Sequence, residues 1–162
     1  LRFPLNTLRD TDEDKLLPIL RHELVHFLLR DKYKWMKIPG WLDEGLAQVY
    51  EGREKHWAKN LLRKTINRRD AQRYLHSFKA LEGNFGRVAG GGSSVRMAYA
   101  QALWAVKYLL DQRWSYPNDL LYYIAEGESP EEALYSTTGD DYEDFTKEWL
   151  SWMREEFHLP QR

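Results

Sequence analysis

The sequence predicts a mainly α-helical single domain spanning 1–162, on three observations. Apolar residues recur every three or four positions along most of the chain. Helix start and stop signals punctuate it at short intervals, and only residues 2–8 alternate in the manner of a strand. A hydrophobic content of 43% with 30% charged residues suits one packed core in a chain of 162 residues.

The elements follow in order. Residues 1–10 hold the one residual strand, with Phe3 to Leu8 as its apolar part. Thr11 to Asp14 reads as a cap, opening a helix over 11–32 with the apolar series Leu16, Leu17, Leu20, Leu24, Phe27 and Leu28. Pro18 has no N–H to give, so that helix either kinks at Pro18 or begins there. Pro39-Gly40 marks a loop, and 41–51 resumes helical spacing. The basic stretch from Arg53 to about Arg69 reads as helix, and residues 83–94, with Gly90-Gly91-Gly92, as a flexible loop.

The C-terminal helical part covers 95–157. Val95 to Asp111 forms its first helix, and Pro117 starts a second that ends near Gly127. Ser129-Pro130-Glu131-Glu132 starts a third, with Ser as N-cap and Pro in the first helical position. Gly139 closes it, and Asp140 or Asp141 caps the last helix, which runs to about Phe157.

Composition excludes several classes of function. No apolar run reaches the roughly 18 residues that a membrane span requires. A net charge of −1 gives no general attraction for nucleic acid. Cysteine is absent, so a metal site must use His, Asp or Glu. The chain opens at Leu1 with no initiator Met and no signal-peptide pattern, which leaves the compartment open. The seven Trp and ten Tyr read chiefly as packing residues.

The segment that carries chemistry is Arg21-His22-Glu23-Leu24-Val25-His26. Residues four apart on a helix lie about 40° apart, so His22 and His26 project from one face and can share a metal. Two neutral imidazoles suit zinc, one ion per chain. Glu23 is turned about 100° from His22, beside the metal, where a general base for an attacking water belongs. A catalytic zinc also requires a third protein ligand and one open position. The next candidate segment is Trp41-Leu42-Asp43-Glu44-Gly45-Leu46-Ala47, with seventeen residues between His26 and Glu44.

With these two motifs the chain resembles the gluzincin zinc metallopeptidases, and within them the peptidase-MA-like family. Gly127 to Leu134 and Thr138-Gly139 are similar to the stretch that closes such domains, so the resemblance spans roughly residues 10–155. It implies a helical zincin-like catalytic domain with Zn2+ on His22, His26 and Glu44, Glu23 as general base, and a peptide or protein substrate. It also implies that Tyr99, at the start of Tyr99-Ala100-Gln101-Ala102, stabilises the oxyanion. Small Gly45 and Ala47 would let the Glu44 helix approach the histidine helix. Ligating imidazoles commonly give their second N–H to an acceptor, for which Asp43 and Gln48 are the nearest candidates.

Where the family resemblance implies a β-sheet before the histidine helix, this sequence offers about twenty residues before His22, which leaves two expectations: either the sheet precedes the residues given, or the substrate cleft is built differently. The segment that recognises a free amino terminus in alanyl aminopeptidases is also missing, so the resemblance implies the reaction class and leaves endo- against exopeptidase specificity open. Family resemblance slightly favours an extracytoplasmic setting. Two other readings compete. One is a catalytically inactive zinc-binding helical scaffold. The other is a binding module using the basic run Arg53, Lys55, Lys59, Arg63, Lys64, Arg68, Arg69 and Arg73, which otherwise reads as a solvated helix face with no nucleic-acid role. His56, His76 and His158 share no ligand spacing and read as ordinary surface residues.

Overall fold

The structure, a computed structural model, describes residues 13–87 and 91–161. Among these it contains seven α-helices and no strand, and no helix is long and apolar enough to cross a membrane. The helices are α1 (Glu13–Lys32), α2 (Gly40–Tyr50), α3 (His56–Ile66), α4 (Gly91–Gln112), α5 (Tyr116–Ala125), α6 (Pro130–Thr138) and α7 (Tyr142–Glu156). Short 3₁₀ turns at Ala71–Tyr74, Ala80–Glu82 and Phe85–Arg87 connect α3 to α4. The strand expected over residues 1–10 lies outside the described residues.

Local chemistry accounts for most of the boundaries. Ser129 accepts from the Glu132 backbone N–H at 3.4 Å while the Glu132 carboxylate accepts from the Ser129 N–H at 2.9 Å, a complete capping box. Gly139 ends α6 at φ 88°, a left-handed position that glycine adopts without steric cost. Of the two aspartates, Asp141 is the cap of α7, accepting from the backbone N–H groups of Glu143 and Asp144 at 2.9 Å.

Three boundaries differ from expectation. Helix α1 starts before Pro18 and continues through it, so Pro18 is not the helix start. Helix α4 begins at Gly91, so 91–94 belong to a helix rather than to a loop. The first turn of a helix uses its N–H groups for nothing internal and requires no apolar residue, so periodicity is blind to it. The basic stretch is helical only over His56–Ile66, following Gly52 at φ 77°.

Helix α4 is the centre of the fold. Ala98, Ala100, Ala102, Leu103, Ala105, Val106 and Leu109 are all buried, so the helix is covered around most of its circumference by α2, α3, α5 and α7. Beside it an aromatic group closes the core. The Phe78 ring packs against Trp41, Phe145 and Trp149 at centroid distances of 5.5, 4.9 and 5.6 Å. Trp41 Nε1 donates to the Tyr142 hydroxyl at 3.4 Å, and that hydroxyl donates to Glu82 at 3.1 Å.

Helix α1 sits at the edge and packs chiefly on α2. Its expected apolar series does not face the core: Leu17, Leu20, Leu24, Phe27 and Leu28 are between 42% and 54% exposed. The inward side of α1 is taken instead by His26, Val25 and Leu29.

Gly45 is small because of α4 and not because of α1. A Cβ there would lie 2.4 Å from the Ala102 carbonyl oxygen and 2.5 Å from Val106 Cγ2. Gly45→Ala should therefore force α2 and α4 apart and cost about 1–3 kcal/mol. In a domain of this size, that lowers the melting temperature by roughly 3–10 °C. An unchanged thermal transition would mean that the two helices do not meet at this point.

Candidate metal centre

His22 and His26 lie one turn apart on α1 and both turn toward α2. Their Nε2 atoms are 3.2 Å apart. From α2, Glu44 Oε2 comes within 3.8 Å of each. One ligand atom from each of the three residues lies within 4.8 Å of the others, the one such group of His, Asp and Glu among the described residues. A tetrahedral ion with bonds of about 2.0–2.1 Å separates its nitrogen ligands by ~3.3 Å. The two imidazoles already have that spacing, and the carboxylate is a few tenths of an ångström too far.

The outer nitrogens decide what the inner ones can do. His26 Nδ1 donates to Asp43 Oδ1 at 2.8 Å. His22 Nδ1 is buried and lies 3.3 Å from Glu51 Oε2, just short of hydrogen-bond alignment. With its Nδ1 hydrogen donated to Asp43, a neutral His26 presents an Nε2 lone pair toward His22 and Glu44. The two Nε2 atoms, 3.2 Å apart, are close enough to share a proton or a cation. The donor set therefore fits a divalent ion.

The electrostatics agree. The hydrogen bond that His26 donates to Asp43 holds its imidazole above the usual pKa. Burial, followed by the charge of His26, pushes His22 below it. Of the two rings, His26 therefore takes up a proton more readily than His22, and because a metal competes with that proton, metal binding weakens as pH falls. Burial also raises the Glu44 carboxyl, although His26 opposes this.

Glu23 is half-buried, and its charge bears on His22, His26 and Glu44. Tyr99, on α4, packs its ring edge-on against Phe85 at 5.1 Å. Burial, then the charge of Glu44, holds its phenol above the ordinary tyrosine pKa. Glu44 and Tyr99 line the same cavity, of about 460 Å³, which opens beyond the C-terminal end of α1.

Two expectations are corrected here. Gln48 is 3% exposed and donates to the Tyr99 carbonyl at 2.9 Å, so it joins α2 to α4 and touches neither histidine. His76 is not an ordinary surface residue. Its backbone N–H and C=O are both met by the Gln101 side chain at 2.9 Å, and its Nε2 lies 3.0 Å from Ser94 O and Oγ. Sequence reasoning missed Glu51, which also accepts from Lys55 at 2.6 Å. The signal was available: Glu51 follows Glu44 by seven residues, two helical turns along the same face.

A family model described as peptidase MA superfamily matches residues 17–155. No curated protein and no solved structure matches the chain.

Asp43→Asn should reduce Zn2+ affinity by about 10–100-fold, because the carboxylate no longer fixes the ring and tautomer of His26. Gln48→Ala should leave affinity within about threefold and lower thermal stability instead. Competition with a chromogenic chelator measures both, and equal losses in the two variants would contradict the separation drawn here.

Proposed function

The chain belongs to the peptidase MA superfamily, and on that premise we propose that it is a zinc-dependent metallopeptidase hydrolysing peptide bonds. The observation that carries the reading is the convergence of three lone-pair donors from His22, His26 and Glu44, with His26 fixed from behind by Asp43. These residues would hold one Zn2+. When bound, the ion would supply Lewis acidity, acidifying water and polarising the scissile carbonyl.

The protein groups have distinct tasks. Glu23 stands beside the ligands without being one, and its charge reaches all three. It accepts the proton of the attacking water and returns it to the departing amine. Tyr99 remains a neutral phenol because burial and Glu44 raise its pKa, so it is available as a hydrogen-bond donor to the oxyanion. Its place on the wall of the cavity that Glu44 also lines supports this role.

Protein purified without added metal should contain about one zinc per chain by elemental analysis, and His22→Ala, His26→Ala or Glu44→Ala should each remove it. Full occupancy in Glu44→Ala would show that the third ligand is another residue. Glu23→Gln should retain zinc and the fold while losing hydrolysis. Tyr99→Phe should lower kcat by roughly 10² or more with KM and melting temperature nearly unchanged. A drop smaller than about threefold would return Tyr99 to the packing residues. Zinc binding with no hydrolysis of any peptide would leave a zinc-holding scaffold.

A further inference from the structure

The cavity that begins at Glu44 and Tyr99 continues along the end of α1, and its charges are not balanced in use. Three acids line it. Asp43 is engaged by His26 at 2.8 Å, and Glu44 is a candidate metal ligand. Glu82 accepts from the Tyr142 hydroxyl at 3.1 Å and from Lys79 at 3.2 Å. Three bases line it as well. Lys34 is paired with Asp31 at 3.4 Å, whereas the Arg30 and Lys37 side chains make no ion pair or hydrogen bond among the described residues, although the charge of Arg30 bears on Glu44. Leu29, Met36, Ile38 and Phe85 add apolar lining to the same cavity. The cavity therefore offers cationic donors together with apolar lining.

We propose that this cavity is the substrate subsite adjoining the cleaved bond, that it selects a residue bearing a carboxylate, and that Arg30 and Lys37 are its specificity-determining residues. The proposal rests on the peptidase reading above and adds to it a substrate class. Because Glu44 and Tyr99 both line the cavity, its occupant is a near neighbour of the reacting carbonyl. The apolar wall accepts the methylene stem while the fork of Arg30 meets the carboxylate with two donors. Lys37 adds a second positive charge, and the 460 Å³ volume accommodates one side chain with part of its backbone. A carboxylate of this kind comes from an acidic side chain or from a peptide C-terminus.

The test uses fluorescently labelled alanine-based peptides with one Glu at each position in turn, matched Gln peptides, and free-acid and amide C-termini. Binding is measured by anisotropy to zinc-loaded Glu23→Gln protein, and to the same protein carrying Arg30→Gln and Lys37→Gln. The expected result is about tenfold or tighter binding of the carboxylate peptide over its neutral partner. That preference falls to about one in the double variant and weakens with added salt. A preference confined to the Glu/Gln pair assigns the pocket to a side chain, and one confined to the acid/amide pair assigns it to a chain end. Equal affinity for all peptides, or a preference that survives both substitutions, overturns the proposal. Cleavage by the unsubstituted protein is scored separately. Cleavage without preference overturns the subsite alone, and preference without any cleavage overturns the peptidase reading while retaining carboxylate recognition.

Discussion

Helix α2 satisfies two demands that compete for its eleven residues. One side must press against α4 so closely that no Cβ fits at position 45. The next side must carry carboxylates to the histidines of α1. Both are met because Trp41, Leu42 and Gly45 enter the core while Asp43 and Glu44 turn away from it, toward His26 and His22. Gln48 then fixes α2 lengthwise on α4 through the Tyr99 carbonyl. The distance from Glu44 to Tyr99 is thereby set by backbone contact and one buried amide, not by flexible side chains. Sites built on packed helices gain their precision in this way.

The electrostatic cost of the site is distributed rather than concentrated. Burial disfavours the charged form of Glu44 and of His22, which by itself opposes a site of this composition. Asp43 and Glu51 offset this by standing behind the imidazoles, and Lys55 in turn holds Glu51. The result is a layered arrangement of lone pairs, ring N–H groups, carboxylates and an ammonium. Removing an outer member therefore acts on the inner nitrogens without touching them.

What could be read from the sequence was what depends on local periodicity. His22 and His26 share a face because 3.6 residues make a turn, whatever the helix packs against. The capping box at Ser129 and the left-handed Gly139 are similarly local. Glu44 was reached through a motif resemblance, and Asp43 through the requirement that a ring N–H find an acceptor. Apart from the helix boundaries at Pro18, Gly91 and His56–Ile66, the errors concern which surface meets which. Gly45 was assigned to the wrong neighbour because small residues announce a close approach and do not name the partner. The Leu16 to Leu28 series marked α1 as a helix without naming its inward face, and the histidine side of α1 is the side that meets α2. His76 escaped notice because its partner Gln101 lies 25 residues away, on a helix whose polar residue could not be distinguished from a solvated one.

The edge position of α1 has a consequence for motion. A helix that leaves six large apolar side chains about half exposed gains less from docking than α4, which is covered almost all round. Its opening free energy should accordingly lie below that of the rest of the molecule, making α1 a separate cooperative unit in amide exchange. An ion bridging α1 to α2 would then act as a fastener between a loosely held segment and a rigid one. Metal occupancy would be registered chiefly as slower exchange along residues 16–32, with α4 and α7 exchanging at their own unaltered rates.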